Sequence, residues 1–194
     1  MTCIVGMEVP EGVILGADSA TSSGDHVRIT ARKKLWKAGE FGFATCGSIR
    51  MSQILKYHLD LPGTPSPKAS VALRDQWMVR EFIPAVRTVM EENAFLHTEK
   101  GIEGISGGSF LVAWRGKLYS IYGDLQVARE INGVNALGSG YAYAHGALHA
   151  LKDIPGLAPG YKVRKALDAA AASLGSVAPP YRVITVKTKA GQAT

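Results

Sequence analysis

Short apolar segments alternate with turn residues over much of the chain. Residues 2–8 and 13–16 are rich in Val and Ile, and Pro-Glu-Gly at 10–12 separates them. This pattern predicts a β-hairpin. Residues 29–37 and 41–46 predict a second strand pair around Ala38-Gly39-Glu40. Further strands are predicted at residues 109–114, 117–122 and 182–187, and just before Gly138.

Helical periodicity appears in four other segments. Apolar positions predict helices over residues 48–59, 69–95 and 163–174, and an alanine-rich helix from about Gly140 to Leu151. Pro84 should kink or interrupt the long helix. Glycines and prolines predict loops at 61–67 and 101–108. Strands in hairpins and helices in pairs indicate an α+β fold with mainly antiparallel sheets.

Length and composition are typical of one globular domain, expected over residues 1–194. Hydrophobic residues make up 46% of the 194 and charged residues 20%. No apolar run approaches the roughly 20 residues of a membrane span, and no cationic stretch precedes an apolar segment as in a secretory signal. The two cysteines are too few for a disulfide framework. We therefore expect a cytoplasmic protein.

The net charge of +6 does not by itself indicate nucleic-acid binding. Such binding would favour basic residues concentrated among aromatic ones. Most basic residues here are scattered, and the exception is a cluster of Arg28, Arg32, Lys33, Lys34 and Lys37. We interpret this cluster as solvated or pocket-lining and expect no nucleic-acid partner.

No metal site is predicted. His145 and His149 are four residues apart on one face of a predicted helix, but no carboxylate or third ligand accompanies them. They are more typical of ordinary helix histidines.

Two glycine motifs resemble a hydrolase elbow and a dinucleotide-binding fingerprint, but neither has the sequence context that its function requires. Gly104-Ile-Ser-Gly-Gly108 fits the G-x-S-x-G elbow of hydrolases, which requires a strand before the serine and a helix after it. Here a strand is predicted to follow. Gly138-Ser-Gly140 begins like a dinucleotide fingerprint, but the third glycine is replaced by Tyr143, whose bulk would block close helix packing.

The N-terminal stretch MTCIVG carries a stronger hypothesis. Removal of Met1 would leave Thr2 with a free α-amine beside its own hydroxyl. A nucleophile and a base would then be present on one residue. The alternative is an ordinary strand that begins with threonine, and the stretch alone does not decide between them.

The order of five short stretches along the chain favours the interpretation of Thr2 as a nucleophile. They are Thr2, Gly16-Ala-Asp18-Ser, Arg32-Lys-Lys34, Cys46-Gly47-Ser and Leu137-Gly-Ser139-Gly140. In this order and spacing the chain closely resembles the proteasome β-subunit family, and within it the short bacterial HslV-type threonine peptidases. The resemblance covers most of the chain and is strongest over residues 2–60 and 134–152.

The resemblance implies a catalytic set. Thr2 would be the nucleophile, with Lys34 beside it and Asp18 paired with Lys34. That pairing is chemically reasonable because a buried lysine needs a carboxylate partner to keep its charge. Gly47 would be an oxyanion-hole glycine between a strand and a helix, where backbone N–H groups favour negative charge. Ser139 would be hydrogen-bonded near the threonine amine.

Other positions match the family less closely. Four residues match positions that line its substrate pocket: Thr21, Arg32, Thr45 and Ile49. The family usually places an aspartate, and a serine three residues later, near the end of the last helix. Here Ser173 and Ser176 align there as supporting residues, so the carboxylate is missing.

The resemblance implies the four-layer αββα sandwich of N-terminal-nucleophile (Ntn) hydrolases and a self-compartmentalising threonine endopeptidase. Peptides or unfolded proteins would be its substrates, and no cofactor is implied. The family forms stacked rings, often fed by a separate ATPase, so we expect a homo-oligomeric double ring, for which an ATPase unfoldase is a candidate partner. Two alternatives stay open, a non-catalytic ring subunit and a small-molecule amidase of the same fold.

Overall fold

The computed structural model describes residues 2–23, 26–31 and 33–188. These residues form thirteen strands and five α-helices. The strands are β1 (Cys3–Val9), β2 (Gly12–Ala17), β3 (Ala20–Ser23), β4 (His26–Ile29), β5 (Leu35–Ala38), β6 (Phe41–Gly47), β7 (Leu96–Glu99), β8 (Ile102–Ile105), β9 (Gly108–Trp114), β10 (Lys117–Ile121), β11 (Val127–Ala128), β12 (Val134–Gly138) and β13 (Arg182–Lys187). The helices are α1 (Ile49–Tyr57), α2 (Val71–Trp77), α3 (Ile83–Glu92), α4 (Tyr141–Leu151) and α5 (Pro159–Ser173).

Two larger sheets organise the described residues. The first has the strand order β12-β1-β2-β13 and the second the order β11-β10-β9-β6-β5. Two short hairpins, β3-β4 and β7-β8, complete the strand pairing. Every described pair is antiparallel. The predicted mixture of helices with antiparallel sheets is therefore confirmed.

Strand alternation explains why the buried strands carry apolar residues on both faces. On β1, Val5 packs in a cluster with residues of α4 and α5, whereas its neighbour Ile4 packs in a cluster shared by the two sheets. On β6, Phe43 joins an aromatic cluster with residues of α1, α2 and α3, and Ala44 joins the cluster between the sheets. Successive side chains point to opposite faces of a strand, so both faces of these central strands are covered.

The predicted long helix is interrupted just before Pro84. A π-helical turn, Met78–Phe82, joins α2 to α3, and the Ile83 N–H donates to the Met78 carbonyl. Proline has no N–H to continue the i to i−4 pattern, and a π-helical turn accommodates the mismatch. The helix also ends earlier than predicted, at Glu92 rather than near residue 95.

The two short hairpins differ from the predictions. Residues 101–108 are not one loop, because β8 pairs there with β7. Residues 29–37 are not one strand, because β4 ends at Ile29 and β5 begins at Leu35. Strand β7 is mostly exposed, and β8 runs from an exposed Ile102 to a buried Ile105, so the hairpin lacks the apolar alternation that identifies a half-buried strand.

The G-x-S-x-G stretch is not a nucleophile elbow in this fold. Ser106 lies in the turn between β8 and β9, and a strand follows it. The elbow would need a helix at that position. The structure therefore agrees with treating this pattern as a coincidence.

Candidate functional site

Thr2 lies beside Ser139 because β1 and β12 are neighbours. Cys3 is paired with Gly138 in the antiparallel register. The Thr2 backbone nitrogen donates to Ser139 Oγ at 3.2 Å, and the Ser139 hydroxyl donates to the Thr2 carbonyl at 3.3 Å. One hydroxyl can both accept and donate, so Ser139 contacts both backbone groups of Thr2.

The Gly-Ser-Gly sequence at 138–140 is explained by close packing. Gly138 has φ +95°, and a Cβ there would lie 2.1 Å from the Thr2 carbonyl oxygen. A Cβ at Gly140 would lie 2.9 Å from the Ala170 side chain and 3.0 Å from that of Cys3. The strand-to-helix turn is therefore occupied by the start of β1 and by α5, which fits the rejection of a nucleotide site.

Asp18 and Lys34 form a buried ion pair next to the start of β1. Lys34 Nζ donates to Asp18 Oδ1 at 2.6 Å and to the Ala20 carbonyl at 2.6 Å. Asp18 Oδ1 also accepts from the Cys3 backbone N–H at 2.9 Å, and its Oδ2 accepts from Ala20 N at 2.9 Å. The predicted contact between residues 18 and 34 is thus present, and the carboxylate is anchored one residue from Thr2.

Cys3 is not a suitable nucleophile. Burial and, to a smaller extent, the nearby Asp18 carboxylate raise the pKa of its thiol to about 12. The thiolate is the reactive form of cysteine, and a thiol with this pKa remains protonated at neutral pH. Near Thr2, the threonine hydroxyl is therefore the better candidate for chemistry.

A cleft of about 320 Å³ opens at Thr2; we refer to it as the Thr2 cleft. Its lining residues come from β1, the β6–α1 junction, the β8–β9 turn and the end of β12: Thr2, Cys46, Gly47, Gly107, Gly108, Ser109, Leu137, Gly138 and Ser139. Three of the five predicted catalytic residues, Thr2, Gly47 and Ser139, line this cleft. Asp18 and Lys34 are buried behind it, adjacent to Cys3.

Gly47 is held between β9 and α1. It has φ +85°, and a Cβ there would lie 2.2 Å from the Gly107 carbonyl oxygen. The next residue, Ser48, is the N-cap of α1, and its backbone N–H donates to that same carbonyl. Gly47 thus ends a strand and precedes a helix, as the sequence predicted.

Sequence reasoning missed part of this wall. Gly107, Gly108 and Cys46 line the Thr2 cleft, whereas residues 101–108 were assigned to a loop. Their only sequence signal is the paired glycines, which allow the close approach of Gly47 to β9 in the Gly47–Gly108 register.

Three of the four predicted substrate-pocket residues, Thr21, Thr45 and Ile49, line a second cleft or contact its lining residues. This cleft of about 520 Å³, which we call the α1 cleft, is lined by Thr30, Ala31, Lys33, Ile49, Ser52, Gln53, Lys56 and Tyr57. Ile49 lines it directly. Thr45 Oγ1 lies 2.7 Å from Ser52 Oγ, and Thr21 Oγ1 lies 3.1 Å from Thr30 Oγ1. Arg32 lies outside the described residues.

Ser173 and Ser176 differ in environment. Ser173 is exposed at the end of α5, and its hydroxyl donates to the Ala169 carbonyl at 3.3 Å. Ser176 is buried in the segment between α5 and β13. That segment is anchored near Asp18, because the Ser19 N–H donates to the Ala178 carbonyl. A supporting role for either serine stays a prediction.

Neither a metal centre nor a membrane span is found in the described parts of the chain. No group of three or more His, Cys, Asp and Glu side chains in residues 2–23, 26–31 and 33–188 is arranged to hold a metal ion. His145 and His149 stack with ring centroids 6.4 Å apart. The helices within those same ranges are too short or too polar to cross a bilayer.

Known structures resemble this chain over nearly its full length. Thiobacillus denitrificans BPH in complex with epoxomicin matches with a TM-score of 0.78 and 20% sequence identity, covering 96% of this chain and 99% of that chain. Thiobacillus denitrificans BPH itself matches with a TM-score of 0.77 and 20% identity, covering 98% and 100%. Eukaryotic HslV from Trypanosoma brucei matches with a TM-score of 0.67 and 19% identity, covering 94% and 97%.

Sequence-based comparisons add nothing to this likeness. No protein-family model matches the chain, and no curated protein matches it significantly. The resemblance to the proteasome β-subunit family is thus confirmed through the three-dimensional structure. The chain shares the fold of Thiobacillus denitrificans BPH and of Trypanosoma brucei HslV.

Proposed function

We propose that this protein is a threonine-type endopeptidase whose nucleophile is the Thr2 hydroxyl after removal of Met1. One observation carries the proposal. Thr2 lines an open cleft while its backbone nitrogen contacts Ser139 and its neighbour Cys3 is bonded to the buried Asp18–Lys34 pair. An unreactive strand start would not require a buried ion pair, because burying two charges is energetically costly.

The chemistry follows from a free α-amine on Thr2. The amine, with an ordinary pKa of about 8, takes the proton from Oγ1 as that oxygen attacks the peptide carbonyl. The tetrahedral intermediate collapses when the protonated amine transfers this proton to the leaving nitrogen, and an ester joins the acyl group to Thr2. Water, deprotonated by the same amine, then hydrolyses the ester and regenerates the hydroxyl.

Lys34 and Gly47 have distinct roles in this proposal. We assign to the Lys34 ammonium, held at 2.6 Å by Asp18, the fixed positive charge that favours deprotonation of the Thr2 hydroxyl. Gly47 lines the cleft at the junction of β6 and α1. We assign its backbone N–H to the oxyanion of the tetrahedral intermediate, where preorganised donors have their largest effect. Ser139 orients the Thr2 amine.

We also propose the larger assembly expected from the family resemblance. The three apolar clusters support a four-layer αββα sandwich, with one cluster between the sheets and one under each set of helices. The homo-oligomeric double ring follows from the family resemblance, and exposed apolar side chains such as Ile131 and Ile102 are available for contacts between copies. An ATPase unfoldase partner and a cytoplasmic location stay predictions.

A peptide panel combined with intact mass spectrometry tests the proposed activity. We expect wild-type protein to lack Met1, to cleave fluorogenic peptides, and to gain the mass of an irreversible threonine-directed inhibitor. We also expect epoxomicin, the compound bound in the BPH complex, to inhibit it. Thr2→Ala, the matched control, should show neither turnover nor mass gain.

Two results would contradict the peptidase proposal. Cleavage of small amides but not of peptides would indicate the amidase alternative. An assembled protein with an exposed Thr2 amine that neither turns over nor gains mass would indicate a non-catalytic subunit.

A further inference from the structure

The α1 cleft has a one-sided charge. Two of its eight described lining residues, Lys33 and Lys56, are cationic, and none of the eight carries a carboxylate. Lys33 is exposed. Two cations without a carboxylate among these described lining residues favour an anion in the cleft, because a cleft concentrates the field of charges of one sign.

Lys56 is held at the cleft wall. Its Nζ lies 2.9 Å from the Tyr57 hydroxyl and 4.6 Å from the centroid of the Tyr57 ring. These contacts orient the ammonium without neutralising it, because neither the hydroxyl nor the ring has a formal charge. A carboxylate entering the cleft would therefore meet a cation that none of the described lining residues neutralises.

The α1 cleft and the Thr2 cleft lie on either side of the β6–α1 junction. Gly47 lines the Thr2 cleft and Ile49, two residues later, lines the α1 cleft. Thr45 on β6 contacts α1 and the residue before β5. Its N–H donates to the Lys34 carbonyl at 3.0 Å, and its hydroxyl contacts Ser52. A substrate carbonyl held at Gly47 would thus place the side chain of its own residue near the α1 cleft.

We propose that the α1 cleft selects substrates with Asp or Glu at the residue that supplies the attacked carbonyl, and that Lys33 and Lys56 determine this preference. The inference rests on the proposed peptidase function and specifies its substrate class. Both ammonium groups are near solvent, so each contributes the modest attraction of an exposed ion pair. We expect about a fivefold preference in kcat/KM for Glu over its neutral isostere Gln.

Matched fluorogenic peptides that differ only in Glu, Gln or Lys at this residue test the preference. Wild type should cleave the Glu peptide best, and the advantage over Gln should fall as salt screens the charges. The Lys33→Glu/Lys56→Glu double variant should instead prefer the Lys peptide. Lys187→Glu, an exposed change of the same charge at the end of β13, should keep the wild-type preference.

Binding to the Thr2→Ala variant separates this inference from the peptidase proposal. Fluorescence anisotropy should show tighter binding of the Glu peptide than of the Gln peptide, and loss of this difference when Lys33 and Lys56 are also changed. Equal binding and equal cleavage of Glu and Gln peptides would overturn the charge preference. A binding preference without any turnover by wild type would overturn the peptidase proposal alone.

Discussion

The Lys34 ammonium lies 2.6 Å from the Asp18 carboxylate, and neither side chain is more than 2% exposed. Asp18 directly follows β2, and Lys34 directly precedes β5. Asp18 bonds to the backbone of Cys3 and Ala20 as well. The pair therefore connects the two sheets close to Thr2, the residue that precedes β1.

Removing one partner of this pair should strongly destabilise the fold. Lys34→Met leaves the Asp18 carboxylate buried without its cation, which costs about 3–5 kcal/mol. Urea denaturation monitored by circular dichroism measures the loss. Lys165→Met, which removes the half-exposed Lys165–Asp168 pair on α5, is the matched control and should change stability by less than about 1 kcal/mol. Equal losses in both variants would contradict the role of burial.

Removal of Met1 should be complete and required for activity. A retained Met1 converts the Thr2 amine into a non-basic amide, so a bulky residue inserted between Met1 and Thr2 should abolish turnover as fully as Thr2→Ala. Thr2→Ser should keep part of the activity, because the hydroxyl and the amine both remain. Peptide assays and intact masses check the series. A blocked form as active as wild type would show that Thr2 is not the nucleophile.

Gly138 should not tolerate a side chain. Gly138→Ala combines a strained φ of +95° with a Cβ 2.1 Å from the Thr2 carbonyl oxygen, so the free energy of unfolding should fall by roughly 2–4 kcal/mol. Gly146→Ala is the matched control, because no atom lies within 4 Å of its new Cβ and alanine favours the interior of α4 by about 0.5–1 kcal/mol. Thermal unfolding should move in opposite directions in the two variants.

Cys3 should resist alkylation in the native protein. With a thiol pKa of about 12, raised mainly by burial, almost no thiolate exists at pH 8. Iodoacetamide with peptide mapping should label Cys3 only after denaturation. Stability should also decrease as pH rises from about 9 to 12, because the unfolded state releases the thiol proton first. Rapid native labelling of Cys3 at pH 8 would contradict this environment.

The protein should assemble at micromolar concentration. This expectation rests on the family resemblance, and exposed Ile131, Ile102, Val79 and Tyr57 are available for contacts between copies. Light scattering should therefore give a mass that is a multiple of the 20.6 kDa chain. A monomer under these conditions would contradict the ring proposal.

Strong local patterns made parts of the fold predictable. The hairpins β1-β2 and β9-β10 are apolar segments around clear turn residues, and α4 follows a strand and a glycine turn. The exposed β7-β8 hairpin was missed because residues outside a core need no apolar alternation. At Pro84 the sequence predicted an interruption but not its form, since a π-helical turn depends on how the flanking helices pack.

The chemical types at the site and their order along the chain could be predicted from the sequence: Thr2, Asp18, Lys34, Gly47 and Ser139. The distances between them depend on the tertiary structure. The β1–β12 register places Ser139 at Thr2 across 137 positions, and folding buries Leu55 and Trp77, which helical spacing alone could equally assign to a contact between copies. Side-chain periodicity is a local property of the backbone, whereas contacts between distant residues depend on which sheet faces pack together.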